Sequence, residues 1–183
     1  MAKTIIAPSI HLSFYRPGDM LVARLKDRLP TVEQPHYFDH VAVVARETIN
    51  SGNDNLTVVE ASYHADCVIQ VRLDSFVRRY PEVVIMRMPH RLRFGEGIGG
   101  YARKLIGKRY TALTPWYWYS PWKWNRYNCV SLVREAYSFG TGVDPQWTTP
   151  DDIVSSPFMY KVRHKKNYEG FAGDPTSLSG RIR

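Results

Sequence analysis

The sequence has little cysteine and no metal-binding motif. Cys67 and Cys129 are its only cysteines, and they stand far apart in a chain of 183 residues. This excludes a disulfide scaffold and argues against a zinc site. A chain of this length buries roughly 70% of its unfolded surface, so its core is stable without a disulfide bond or a structural metal ion. We expect neither a metal ion nor an organic cofactor.

Long apolar runs are also missing. No segment approaches the ~20 residues that are needed to span a bilayer. The first residues lack the apolar stretch of a signal peptide. The sequence therefore predicts no transmembrane segment and no secretion signal, and hence a protein of the cytoplasm or of a virion.

Acidic residues are the third shortage. The chain has 17 Asp and Glu against 25 Lys and Arg, which gives a net charge of +8. A polyanionic neighbour such as an envelope polymer, a lipid headgroup or a nucleic acid is compatible with this charge. Residues 161–183 are basic and without apolar periodicity, so we predict an arm that binds an acidic protein partner rather than nucleic acid.

The rest of the chain has the composition of one domain, with 44% hydrophobic residues. We divide it into an N-terminal arm (1–16), a domain (17–157) and a basic C-terminal arm (158–183). Strands are predicted at 20–25, 38–46, 56–63 and 83–88. Helices are predicted near 74, around 98–105, from 129 and after 149.

The predicted fold class is α+β. Turn residues separate 38–46 from 56–63, which predicts an antiparallel hairpin. The sheet is expected to be antiparallel, to have four to six strands, and to pack against the helix that begins at Cys129. Asn128 is the expected N-cap of that helix.

Cys129 is the candidate nucleophile because it lies in the first turn of a helix. There the helix dipole and the unpaired amides lower the pKa of a thiol. The same amides can hold the oxyanion that forms when a thiolate attacks a carbonyl group. A buried structural thiol is the alternative interpretation, and it is the one we give to Cys67.

His40 and Glu60 are the candidate base and orienting residue. His40 begins the apolar strand DHVAVV, where a polar side chain is unexpected and suggests a functional role. If the hairpin turn lies near 50–55, Glu60 is opposite or diagonal to His40 on the same face. A nucleophile, a base and an orienting group are the parts of a catalytic triad. Separately, the histidine could be an ordinary strand-end residue, and the glutamate could face solvent.

Six short motifs over residues 17–157 carry a family resemblance. They are GDMLVARL, FDHVAVV, LTVVEAS, GKRY, YNCVSLVREAY and TTPDDIVSS. In this order they resemble the circularly permuted NlpC-type papain-like proteins, and the YiiX-like members most. The resemblance implies a base at His40, an orienting residue at Glu60 and a nucleophile at Cys129. In unpermuted relatives a tyrosine before the nucleophile helix assists the oxyanion, and GKRY puts Tyr110 at that place.

The resemblance implies a cysteine peptidase or amidase that works through an acyl-enzyme. A murein peptide endopeptidase carried by a phage particle is the first interpretation. A lipid acyl hydrolase or acyltransferase of the lecithin retinol acyltransferase type, and a noncatalytic structural or tail protein, are the alternatives. The segment before Cys129 departs from the family pattern in its length and tryptophan content. It would supply either a substrate wall or core packing through Trp116, Trp118, Trp122 and Trp124.

Overall fold

The computed structural model describes residues 14–25, 36–47, 55–89, 92–112 and 126–166. The four tryptophans of the predicted substrate wall, the turn of the predicted hairpin and the end of the C-terminal arm lie outside these ranges. Within them, no helix is both long and apolar enough to cross a membrane.

The described residues form one sheet of eight strands, in the order β7-β6-β4-β3-β2-β1-β5-β8. Neighbouring strands are antiparallel except β6 and β7, which are parallel. The strands are β1 (Met20–Arg24), β2 (His40–Glu47), β3 (Asn55–Ser62), β4 (Cys67–Arg72), β5 (Glu82–Arg87), β6 (Arg109–Tyr110), β7 (Arg126–Tyr127) and β8 (Tyr160–Lys166).

Within the described ranges four helices accompany the sheet. They are α1 (Leu73–Arg79), α2 (Leu92–Lys104), α3 (Cys129–Thr141) and α4 (Pro150–Val154). Each one corresponds to a predicted helix, and β2 and β3 pair as the predicted antiparallel hairpin. The α+β class with an antiparallel sheet and packed helices is therefore confirmed. The expected four to six strands were too few, because β4, β6, β7 and β8 were not recognised.

Strand β8 lies in the segment that the sequence predicts as the C-terminal arm (158–183). It pairs with β5 along the edge of the sheet, and Val162 packs against the core on one face. The basic residues of this strand are typical of a sheet edge, where charge discourages pairing with other chains. Residues 160–166 therefore belong to the sheet rather than to the arm, whose remainder lies outside the described residues.

The core has a layer on each face of the sheet. On one face α2, α3 and α4 bury Ile98, Leu132 and Ile153 against the odd-numbered residues of β2 and β3. On the other face α1 buries Phe76 and Val77 against the even-numbered residues of the same strands. Because side chains alternate along a strand, this parity decides which layer each functional side chain joins.

Glycines let α2 lie unusually close to its neighbours. A Cβ atom on Gly95 would stand 2.2 Å from the carbonyl oxygen of Pro17, and one on Gly99 would stand 2.9 Å from that of Val44. Neither position has room for a larger side chain unless the backbone shifts. The glycine-rich segment FGEGIGG is therefore a packing surface.

Candidate active site

Strands β2 and β3 separate before they end. Their ladder stops at Val43 opposite Val59, although β2 begins earlier and β3 continues further. In the part of β2 that pairs with β1 but not with β3, the backbone amide of Val41 lowers the pKa of the Cys129 thiol through a hydrogen bond. The start of α3 thus meets the sheet where its two central strands diverge.

Asn128 caps α3, as predicted. The Ser131 N–H donates to Asn128 Oδ1 at 2.7 Å, and the Asn128 N–H donates to Ser131 Oγ at 2.8 Å. This reciprocal pair is a capping box, which fixes the angle at which the chain enters the helix. It leaves Cys129 at the first helical position, with its thiol half-buried.

His40 and Glu60 are hydrogen-bonded neighbours. The register of the hairpin puts them on the same face, diagonal to each other. His40 Nε2 and Glu60 Oε2 are 2.8 Å apart, and the carboxylate is buried, with 1% of its side chain exposed. A buried carboxylate needs charge-assisted partners, and His40 is one of them.

Cys129 lies on the other side of the His40 ring. Burial alone would raise the pKa of the thiol, but hydrogen bonding and charge from His40, together with the amides of Val41 and Val130, lower it. Burial alone would lower the pKa of His40, but its bonds to Cys129 and Glu60 and their negative charges raise it to about 9. The arrangement favours a thiolate and an imidazolium over two neutral side chains.

Arg79 at the end of α1 and Tyr80 directly after it complete this cluster, and no local sequence pattern predicted them. Arg79 Nη1 donates to Glu60 Oε1 at 2.7 Å, so Glu60 has a cation on each oxygen. The ring of Tyr80 stacks on His40 with centroids 5.6 Å apart. Only the fold reveals these contacts, because α1 crosses the face of the sheet that His40 and Glu60 share.

Tyr110 of β6 interacts electrostatically with the same sulfur. Burial raises the pKa of its hydroxyl, and the charges of Cys129 and Tyr63 raise it further. Tyr63 packs edge-on against Tyr110 with centroids 5.7 Å apart, while 72% of Tyr63 is exposed. Among the described residues, Tyr63 and Tyr110 therefore line one side of the site, and we call them the rim tyrosines.

The other candidate groups lie apart from this cluster. Cys67 begins β4 and pairs with Arg109 of β6, and no hydrogen bond from a histidine to Cys67 is found among the described residues. In the described ranges no three His, Cys, Asp or Glu side chains are grouped as metal ligands would be.

Comparison with known proteins gives one match. Residues 14–167 match the family described as permuted papain-like amidase enzymes, YaeF/YiiX, C92. No curated protein and no solved structure matches the chain. The match spans most of the chain and includes β8. The resemblance to YiiX-like proteins is confirmed, whereas a more specific relation to the NlpC type stays a prediction. The chain belongs to the YaeF/YiiX family of permuted papain-like amidases.

Proposed function

We propose that this amidase acts through an acyl-enzyme on Cys129, with His40 as acid and base and Glu60 as the orienting residue. The observation that carries the proposal is the position of the His40 ring between the sulfur and a buried carboxylate. Glu60 holds Nε2, which leaves Nδ1 for the thiol. The order nucleophile, imidazole, carboxylate is that of a cysteine hydrolase.

The acylation step uses the thiolate and imidazolium together. The Cys129 thiolate attacks the amide carbon, a C–S bond forms, and an electron pair moves to the carbonyl oxygen. When the tetrahedral intermediate collapses, the C–N bond breaks and the proton on His40 passes to the departing amine. A raised histidine pKa suits this step, because an amine leaves only when it is protonated.

The deacylation step needs the opposite protonation state of His40. In the thioester the sulfur has no charge, so one cause of the raised histidine pKa is gone. The neutral imidazole then takes a proton from water as the water attacks the thioester. The C–S bond breaks, a carboxylic acid leaves, and the thiolate and imidazolium are restored.

The oxyanion of both steps has two donors at hand. In the first turn of α3 the amide of Ser131 bonds to Asn128 and that of Val130 faces the sulfur. The amide of Cys129 itself is therefore the donor we assign to the oxyanion. The second donor is the hydroxyl of Tyr110, which burial and the nearby thiolate keep protonated.

We assign the substrate to the peptides of murein. A net charge of +8 favours an anionic envelope polymer, and the rim tyrosines Tyr63 and Tyr110 suit contact with sugar rings and peptide groups. A phage particle as carrier, a protein partner for the C-terminal arm and a lipid acyl substrate stay predictions from the sequence. The tryptophans that would favour a lipid lie outside the described residues.

A pair of cysteine variants tests the chemistry. Cys129→Ala should abolish digestion of purified murein, whereas Cys67→Ala should keep it, because His40 supports Cys129 and not Cys67. Mass spectrometry of the released peptides identifies the bond that is cut. In the wild type, iodoacetamide should label Cys129 faster than Cys67 at neutral pH.

Three results would contradict parts of this proposal. Equal labelling of both cysteines would remove the nucleophile assignment. Labelling of Cys129 with no murein digestion, but with release of fatty acid from a lipid ester, would move the enzyme to the lipid class. Neither labelling nor turnover would favour a noncatalytic protein that retains the fold.

A further inference from the structure

The cluster contains a second cation that the proposed chemistry has not used. Arg79 Nη1 lies 2.7 Å from Glu60 Oε1, on the oxygen that His40 leaves unoccupied. Glu60 is 1% exposed, whereas 42% of the Arg79 side chain is exposed. The carboxylate is thus shared between a buried imidazole and an arginine that reaches it from the surface of α1.

We propose that Arg79 is a positioning residue. It reduces the electrostatic attraction by which Glu60 keeps His40 protonated, and so it lets His40 act as a base in the acyl-enzyme. This inference rests on the proposed function. It adds a role to a residue that contacts neither the sulfur nor the scissile bond and acts through Glu60.

The need for such a residue follows from the two protonation states. During acylation His40 must carry a proton, and the thiolate and Glu60 both favour that state. After acylation the thiolate charge is gone, and Glu60 alone opposes loss of the proton. A buried carboxylate with no other cation favours the protonated imidazole more strongly than one that also pairs with an arginine. Arg79 offsets that charge, so the ring can be neutral when water attacks.

The other ionisable groups around Glu60 and the His40 ring cannot offset the charge of Glu60 as Arg79 does. Tyr80 stacks on the ring and interacts with Arg79, and burial raises its pKa to about 12, so it stays neutral. Tyr110 lies near the sulfur, and its pKa is raised as well. Cys129 supplies charge only before acylation. Among these groups Arg79 is the one whose charge is the same in both steps.

A neutral adduct on the sulfur gives a direct measurement. Methyl methanethiosulfonate places a methylthio group on Cys129 and releases methanesulfinate, which leaves an uncharged sulfur as in the acyl-enzyme. The His40 pKa is then read by NMR titration of its ring. In Arg79→Met this pKa should rise by roughly half to one unit, because a partly exposed charge is screened. Arg79→Lys should restore most of the wild-type value.

The neighbouring arginine provides the matched control. Arg78 is on the same helix, is 73% exposed and pairs with Asp74. Arg78→Met removes the same charge one position away, and it should leave the His40 titration unchanged. In turnover, Arg79→Met should accumulate acyl-enzyme at pH 7 as a burst, and the pH midpoint of deacylation should move upward by the shift seen in NMR.

The outcomes separate this inference from the proposed function. An unchanged or lowered His40 pKa in Arg79→Met, with Cys129 still reactive in the wild type, overturns the role of Arg79 alone. An equal shift in Arg78→Met overturns it too, because the effect would be one of net charge. Failure of the wild-type Cys129 to react with thiol reagents would instead overturn the proposed nucleophile.

Discussion

Two buried carboxylates of this fold, Asp19 and Glu60, have an arginine each and yet differ in their acidity. Each has a side chain that is 1% exposed. Asp19 receives two hydrogen bonds from Arg87, at 2.6 and 2.7 Å, and one from the Arg16 N–H. Even so, burial raises the pKa of Asp19. The pKa of Glu60 is lowered in spite of burial, by His40 and Arg79.

The difference lies in the number and kind of the partners. The hydrogen bonds and charges of Arg87 and Arg16 do not outweigh the burial of Asp19, whereas an imidazolium and an arginine together outweigh that of Glu60. The surroundings differ as well. Arg87 is 14% exposed and also donates to the Phe14 carbonyl, so it ties the chain before β1 to β5. The Asp19 pair is a fixed structural contact, whereas the Glu60 pair borders a group that can exchange protons.

The largest expected effect is on catalysis through Glu60. Glu60→Gln removes the charge that orients and stabilises the His40 imidazolium, and kcat/KM should fall by about 10²- to 10⁴-fold, the range of acid–base catalysis. Asp19→Asn removes the same charge elsewhere and should leave kcat/KM within about threefold per active site, counted by thiol titration. Equal losses in the two variants would mean that both carboxylates serve the fold alone.

The next effect is on stability through the two arginines. Arg87→Met removes the hydrogen-bonding guanidinium from the buried Asp19 carboxylate. It should lower the free energy of unfolding by about 3 kcal/mol. Arg79→Met should lower it by about 1 kcal/mol or less, because the Arg79 side chain is 42% exposed and Glu60 retains His40. Urea unfolding monitored by tryptophan fluorescence measures both. A larger loss for Arg79→Met would reverse the contrast between a structural and a functional pair.

This contrast shows which parts of the molecule local patterns predict. The hairpin of β2 and β3 follows from β-branched runs around turn residues. Because side chains alternate along paired strands, the even numbers of His40 and Glu60 predicted that both lie on one face. The expected cap Asn128 marked the start of α3, and Thr149 caps α4 in the structure, since a capping side chain acts within three residues of itself. The three residues of the proposed triad could therefore be chosen from the sequence.

Other features depend on contacts between distant segments. Arg79 reaches Glu60 only because α1 lies across the sheet. The sequence pattern of a short helix does not predict which distant residue one of its basic side chains contacts. Strand β8 reads as a polar tail because an edge strand buries few of its side chains. Strands β6 and β7 have two residues each, too few for alternation to appear. In each of these cases the tertiary partner, rather than the local residues, determines the structure.

The smallest effect is a difference in sign between the two carboxylates in acid. Glu60 has a lowered pKa in the folded state, so its contribution to stability is complete above its unfolded pKa and is lost as the pH falls through the folded one. Asp19 has a raised pKa in the folded state. The folded protein therefore binds that proton first, and acid stabilises the fold relative to the unfolded chain.

The free energy of unfolding from pH 7 down to pH 3 should separate the two sites. Glu60→Gln should flatten the loss of stability in acid, and Asp19→Asn should steepen it, each relative to the wild type. Comparing slopes within each variant removes the constant cost of the substitution. Each pKa unit is worth about 1.4 kcal/mol, so urea titrations at each pH resolve the effect. Slopes that change in the same direction would show that Asp19 and Glu60 respond to acid alike, and the contrast between them would fail.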